Sequence, residues 1–327
     1  MSGSALTGTV RHAPTPPTTV VSRSEEDAFL RAQFRYHSRT FSLATRALPR
    51  EVRLPIAALY YYCRTVDETA DRQSFVSGVE EARESVARMR RNLDLTLAGR
   101  PPTGTPHDLL WHRLAEVHAL FGLPAYPLHQ LLDGADWDLD ARPIDTEADL
   151  LAYSDLVAGS VGAVMLPFLV RQRTDLAALD TPARALGCAM QITNILRDVG
   201  EDARDLGRVY LPARALAPLG LDVDALASAA RGGGLPPAQR RGYAEVVEGL
   251  MRRAEGLYDE AIVGIGALRP AARVGIRSAA RMYREILNRV READYDNLTR
   301  RAVVPTGRKA RAAFGGYPRR RARAVAG

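Results

Sequence analysis

The chain has 327 residues, is 46% hydrophobic and 25% charged, and carries a net charge of +7. That composition builds a globular core and excludes a wholly disordered protein. Two cysteines, Cys63 and Cys188, far apart and outside any CxxC, exclude a disulfide framework and a zinc site, so a reducing cytoplasm is expected.

In chain order, residues 1–23 are rich in Ser, Thr, Pro and Gly, lack the apolar block of a signal peptide, and read as a disordered lead-in. Helical periodicity dominates from there on. Breakers such as Pro49, Pro55, "GRPPTGTP" (99–106), Pro124, Pro127 and "RGGGLPP" (231–237) mark its boundaries. The spacing predicts helices near 25–46, 54–71, 78–97, 108–121, 126–138, 147–170, 180–203, 238–264 and 270–296. No repeat or linker divides them, so the fold class is all-α with one domain over 24–303. Residues 304–327 form a Gly- and Arg-rich, solvated tail. "LVAGSVGAVMLPFLV" (156–170) is apolar but short and holds Pro167, which suits a buried helix rather than a membrane span.

The positive charge by itself decides little. Lys309 is the only lysine, so the basic residues are nearly all Arg, as GC-rich coding gives. A nucleic-acid role is not expected, because the Arg-rich tail holds only Phe314 and Tyr317 as aromatics and no interleaved aromatic platform. Attraction to anionic lipid remains an alternative for that tail. His107, His112, His118 and His129 are scattered and read as surface or core residues, and "EEARESVARMRRNLD" (80–94) as an exposed helix with i,i+4 ion pairs.

Chemistry enters with two acidic pairs. Asp67 and Asp71 lie in "YYYCRTVDETAD" (60–71), and Asp198 and Asp202 in "QITNILRDVGEDARDLGRVYLP" (191–212). A spacing of four stacks each pair on one helix face, about 5–6 Å apart at Cβ, where like charges repel unless a cation intervenes. Hard carboxylate oxygens without His or Cys suit Mg²⁺, with Mn²⁺ as a substitute. Two facing acidic helices with Arg64 and Arg197 beside them would hold divalent ions and a diphosphate. Tyr60, Tyr61 and Tyr62 cannot all face one cavity, because successive helical residues point about 100° apart.

Five segments in order resemble the squalene/phytoene synthase family: "HSRTFSLATRALP" (37–49), "YYYCRTVDETAD", "LLAYSDLVAGSVG" (150–162), "QITNILRDVGEDARDLGRVYLP" and "ARMYREILNRVREADYDNLTRRAVV" (280–304). The resemblance spans roughly residues 25–310. It implies an isoprenoid synthase fold, with helices around a central hydrophobic cavity. By the same resemblance Asp67, Asp71, Asp198 and Asp202 hold magnesium. Ser38, Arg64, Gln191, Asn194, Arg197 and Arg301 (or adjacent Arg300) bind or order the diphosphate, and Phe41, Tyr60, Tyr153 and Tyr283 lie near the reacting carbons. Asp133 is either a support for the site or a structural acid. Two departures stand out: Glu68 replaces a middle aspartate, and the stretch between Asp202 and "GRVYLP" is one residue longer than the pattern.

The implied activity is head-to-head condensation of two geranylgeranyl diphosphates, through prephytoene diphosphate, to phytoene in carotenoid biosynthesis, without NADPH. The alternatives are a C30 enzyme making squalene, dehydrosqualene or presqualene diphosphate from farnesyl diphosphate, and a non-catalytic scaffold relative. The expected location is the cytoplasm, peripheral on the inner face of the membrane, in reach of downstream carotenoid enzymes.

Overall fold

The computed structural model describes residues 22–37, 42, 45, 46, 48–76, 78–305, 307, 308, 311 and 312, and only the backbone course of 71–76. Residues 1–21 of the expected lead-in 1–23, Ser38 and Phe41 lie outside the described residues, as does the side chain of Asp71, while Ser22 and Arg23 of that lead-in cap and open the first helix.

Local signals set where the helices begin and end. Ser22 and Glu25 bond each other's backbone reciprocally, a capping box that opens α1 (Arg23–His37). Next come α2 (Arg50–Val76) and α3 (Val79–Leu97). They are followed by α4 (Asp108–Phe121), ended by Gly122 in the left-handed region, and α5 (Ala125–Leu139). A second capping box, Thr146 with Asp149, starts α6 (Glu147–Ser154). α6 continues through a π turn at Asp155–Gly159 into α7 (Ser160–Leu169).

The longest acidic segment lies on α8 (Leu176–Glu201), which passes into a π turn at Asp202–Leu206 and stops at Gly207, φ 62°. A π turn is an α-helix with an extra residue per turn. The stretch before "GRVYLP", one residue longer than the pattern, is thus helical rather than an open loop. Two short helices, α9 (Ala213–Leu216) and α10 (Val223–Gly232), fill a stretch for which sequence periodicity gave no helix. The chain closes with α11 (Pro237–Val263) and α12 (Pro270–Glu292).

Two prolines correct the expected starts. Pro55 lies inside α2 and Pro182 inside α8, each near the helix beginning, so α2 starts four residues and α8 four residues earlier than expected. A proline there removes few intrahelical donors, and the packing of the long helix outweighs the loss.

Among the described residues the β pairing is a single bridge, Val170 to Leu268. α8 runs through the middle, against α11, α7 and α12. One apolar cluster gathers around α2, α4 and α5, and a second around α8 and α11. The helical stretch Glu147–Leu169 has the length and composition to cross a membrane, but it lies between α5 and α8 with half of its most apolar part buried. Arg308, expected in the solvated tail, instead folds back to pair with Glu292 and Glu285.

Candidate active site

Between the two apolar clusters lies a cavity of about 540 Å³, the size class of small-molecule sites. Most of its wall is aliphatic: Leu59 from α2, Val161 and Leu166 from α7, Leu179 and Leu186 from α8, and Leu268 before α12. One end is polar, bounded by His37, Asp67, Gln191, Asn194, Arg197 and Arg301. Tyr60 and Tyr283 also lie on the wall.

The three tyrosines of α2 divide as helical geometry requires. Tyr60 faces the cavity, Tyr61 packs edge-on against Phe29 at 5.3 Å, and fully buried Tyr62 donates to the Leu128 carbonyl at 3.0 Å. Burial pushes the Tyr60 and Tyr283 hydroxyls above their ordinary range, so both stay protonated. For Tyr283 the nearby Arg197 charge opposes the rise and Asp198 adds to it.

On α8 the spacing of three brings Gln191, Asn194 and Arg197 to one face at the polar end. The Asn194 Oδ1 is buried and has no hydrogen-bond partner. A buried carbonyl oxygen left open on a cavity wall is costly unless a ligand uses it. Asp198 is mostly buried and carries two guanidinium groups. Arg197 grips it through both Nε, at 2.8 Å, and Nη2, while Arg301 donates from Nε at 2.8 Å. Arg301 also reaches Glu201 at 3.4 Å. Asp202 follows one turn later, half-buried, as the first residue of the π turn.

The segment carrying Arg301 is fastened to α8. The Asn297 amide donates to the Leu196 carbonyl at 2.7 Å, its Oδ1 accepts from the Tyr243 hydroxyl at 2.7 Å, and its backbone carbonyl accepts from Gly200 N–H at 3.2 Å. A Cβ on Gly200 would meet the Leu298 carbonyl at 1.9 Å. Only glycine lets this segment lie directly on the helix. Arg301, not Arg300, reaches the site: Arg300 points to Asp296 at 3.9 Å.

Asp198 and Asp202 lie outside the lining of the cavity, and three more expected residues stand apart from the wall. Arg64 is paired with Glu68, Nε to Oε1 at 3.0 Å, the i,i+4 partner that replaces the middle aspartate. Tyr153 lies behind the wall, stacked on Tyr210 at 5.0 Å, and donates to Asp138 Oδ2 at 3.0 Å. Tyr210, from "GRVYLP", donates to Asp138 Oδ1 at 2.9 Å, so two motif segments meet on one carboxylate. Burial, then the Asp138 charge, drives the Tyr153 hydroxyl well above its ordinary range. Asp133 pairs with Arg90 at 2.9 Å, the structural role of its two readings.

His37 was missed from the sequence although it opens the first matching segment. It stands at the C-terminal end of α1 on the polar rim, and burial, then the Arg64 charge, holds its imidazole below its usual value. Val157 and Ala158, from the first π turn, also line the cavity. No periodicity signals that turn.

A family model for squalene/phytoene synthase matches residues 34–308. The phytoene synthase of Rhodobacter capsulatus is 38% identical over 281 residues, covering 85% of this chain and 77% of its own. The phytoene synthase of Thermus thermophilus is 36% identical over 278 residues, covering 84% and 87%. A solved dehydrosqualene synthase with bound ligand superposes with a TM-score of 0.73 at 31% identity, over 89% of this chain and 94% of that one. These matches, carried by a helical fold around one cavity with a charged end, show that the chain belongs to the squalene/phytoene synthase family.

Proposed function

We infer that the protein joins two geranylgeranyl diphosphates head to head, through prephytoene diphosphate, to phytoene. The observation that carries this reading is a single cavity with Asp67, Asn194, Arg197 and Arg301 at one end and an apolar remainder. Such a shape fits a long hydrocarbon with a diphosphate at its tip. The likeness to two bacterial phytoene synthases supports the C40 substrate.

The donor chemistry fits a hard divalent cation. Asp67 and the open Asn194 Oδ1 offer oxygen at the polar end, with Asp198 on α8 and Asp202 opening the π turn after it, and the family resemblance adds Asp71, four residues after Asp67. Among the described residues no three acids, histidines or cysteines converge ready-made on one point, and Asp198 is held by arginine. A cation reaching Asp198 therefore competes with Arg197 and Arg301. When bound, Mg²⁺ would neutralise diphosphate charge and act as a Lewis acid on the leaving group.

The chain's own groups do the rest. Arg197 and Arg301 contribute charge-assisted bonds to diphosphate oxygens. Loss of the first diphosphate leaves an allylic cation, which the double bond of the second substrate attacks; proton loss then closes a cyclopropane. The second diphosphate leaves, the skeleton rearranges, and a second proton departs. The sum is two diphosphates and two protons released with no change of redox state, so no reductant is required. The Tyr60 and Tyr283 rings offer negative π faces to passing cations. Their hydroxyls, kept protonated by burial, do not trap a cation as a phenolate would. The aliphatic wall keeps water from ending the reaction as an alcohol.

Incubation with each prenyl diphosphate, Mg²⁺ and no NADPH, followed by identification of the extracted hydrocarbon, tests this reading. Phytoene from geranylgeranyl diphosphate is expected. Turnover of farnesyl diphosphate alone would move the protein to the C30 reading, which the likeness to a dehydrosqualene synthase supports.

A further inference from the structure

We propose that the rim formed by residues 262–277, outside the apolar end of the cavity, docks on an anionic lipid bilayer. Two independent features of this rim converge: unpaired arginines and exposed aliphatic side chains.

From 261 to 284 the chain holds five arginines and no acidic residue. Arg269, Arg273 and Arg277 follow each other at intervals of four, which places them on one face of the start of α12. Like charges at that spacing repel. Elsewhere this protein answers its arginines with acids, as in Arg291 with Glu248 and Glu255, or Arg184 with Asp155 and Asp180. Among the described residues none of Arg269, Arg273 and Arg277 has a carboxylate within ion-pair distance. The Nε of Arg269 bonds the Val170 carbonyl and that of Arg273 the Leu268 carbonyl, both at 2.8 Å. These bonds fix the side chains and leave their charge uncompensated. Exposed Arg171, whose N–H donates to the Ala267 carbonyl, adds to the same rim, and exposed Glu260 flanks it.

Among these charges the aliphatic side chains face out. Val263 is 83% exposed, Val274 56% and Ile262 45%. Their neighbours in the same hairpin face in: Ala261, Gly264, Ile265, Leu268 and Ile276 line the cavity. One short stretch therefore walls the apolar chamber and meets the exterior with an arginine-ringed aliphatic surface. That combination suits a lipid interface, where guanidiniums meet phosphates and valines enter the acyl boundary. A nucleic acid would leave the valines without use. If the product is a C40 hydrocarbon, which rests on the reading above, this placement sets its apolar end toward the medium that dissolves it.

The test uses the full chain without substrate, so its failure is separable from failure of the assigned reaction. Sedimentation with vesicles of equal parts phosphatidylcholine and phosphatidylglycerol is compared with phosphatidylcholine alone. Binding to the anionic vesicles, weakened by salt, is expected. Each arginine near such a surface strengthens binding about fivefold. The triple variant Arg269→Gln/Arg273→Gln/Arg277→Gln should thus bind roughly a hundredfold more weakly. Val263→Ser/Val274→Ser should also weaken binding while keeping its salt dependence. Both variants should keep turnover of detergent-dispersed substrate, the triple variant melting somewhat lower because it gives up the bonds to the Val170 and Leu268 carbonyls. A chain ending at Pro305, without the basic tail, should still bind. Three results would overturn the proposal: no binding by the wild type, wild-type binding by the triple variant, or loss on tail removal with the triple variant unaffected.

Discussion

Asn297→Ala should uncouple Arg301 from α8 and cost catalysis as well as stability. The side chain makes two buried bonds, to the Leu196 carbonyl and from the Tyr243 hydroxyl, each at 2.7 Å. Tyr243 is 2% exposed, so no water replaces the lost partner. Losing two bonds and orphaning at least one buried group costs about 2–4 kcal/mol. Arg301 lies four residues further on, and its charge-assisted bond to Asp198 is in the class worth about 1.5–3 kcal/mol. If its grip on the diphosphate is of similar size and goes with the anchor, kcat/KM falls about 10–100-fold. The assay is steady-state turnover of geranylgeranyl diphosphate beside a thermal melt. Most of the loss should appear as a raised KM, and Gly200→Ala should give the same split, because its Cβ would push the segment off the helix. A variant with a lowered melting temperature and unchanged kcat/KM would refute the idea that this segment positions Arg301.

Asp198→Asn should lower turnover by on the order of a thousandfold, since an oxygen ligand and the charge that orders Arg197 and Arg301 both go. No gain in stability should accompany it, because those guanidiniums already neutralise the carboxylate; wild-type turnover would remove the residue from the site. Glu292 is held at about 2, first by its bonds from Arg308 and then by Arg289, against an ordinary value near 4.5. Its folded value is depressed, so its stabilisation is complete above about 4.5 and fades as pH falls toward 2. A Glu292→Gln variant should show a shallower fall in melting temperature across that window, and an unchanged slope would dismiss the coupling. Burial raises both thiols, Cys188 to about 12 and Cys63 further. At pH 8 iodoacetamide should therefore leave both unmodified in mass spectra while the protein is folded, and alkylation at the rate of a free thiol would contradict that burial.

The long helices were legible because apolar periodicity and proline and glycine breakers are local signals, and the caps seen in the structure agree with them. The Ser22 and Thr146 capping boxes lie at the starts of α1 and α6, and Gly122 and Gly207 follow the ends they stop. The polar end of the cavity was legible through the family resemblance, which pointed to Gln191, Asn194 and Arg197. Three things were not. Tyr153 sits in a matching segment, yet Asp138 and Tyr210 draw it off the wall, and that pairing joins residues distant in sequence. The repulsion expected between stacked aspartates is relieved at Asp198 by an arginine 103 residues away. The π turns at 155–159 and 202–206 change the helical period itself, which a search at a fixed period of 3.6 passes over.

One wall of the chamber is set by backbone touching backbone. A Cβ on Gly162 would stand 2.2 Å from the Ala183 carbonyl, and one on Gly187 2.1 Å from that of Ala158. The two helices there are as close as chains go, and no side chain remains at those points to trim. A laboratory selection for longer or bulkier prenyl products should therefore accumulate changes elsewhere on the lining, at positions such as Leu59, Met165 or Leu268, and leave this seam untouched.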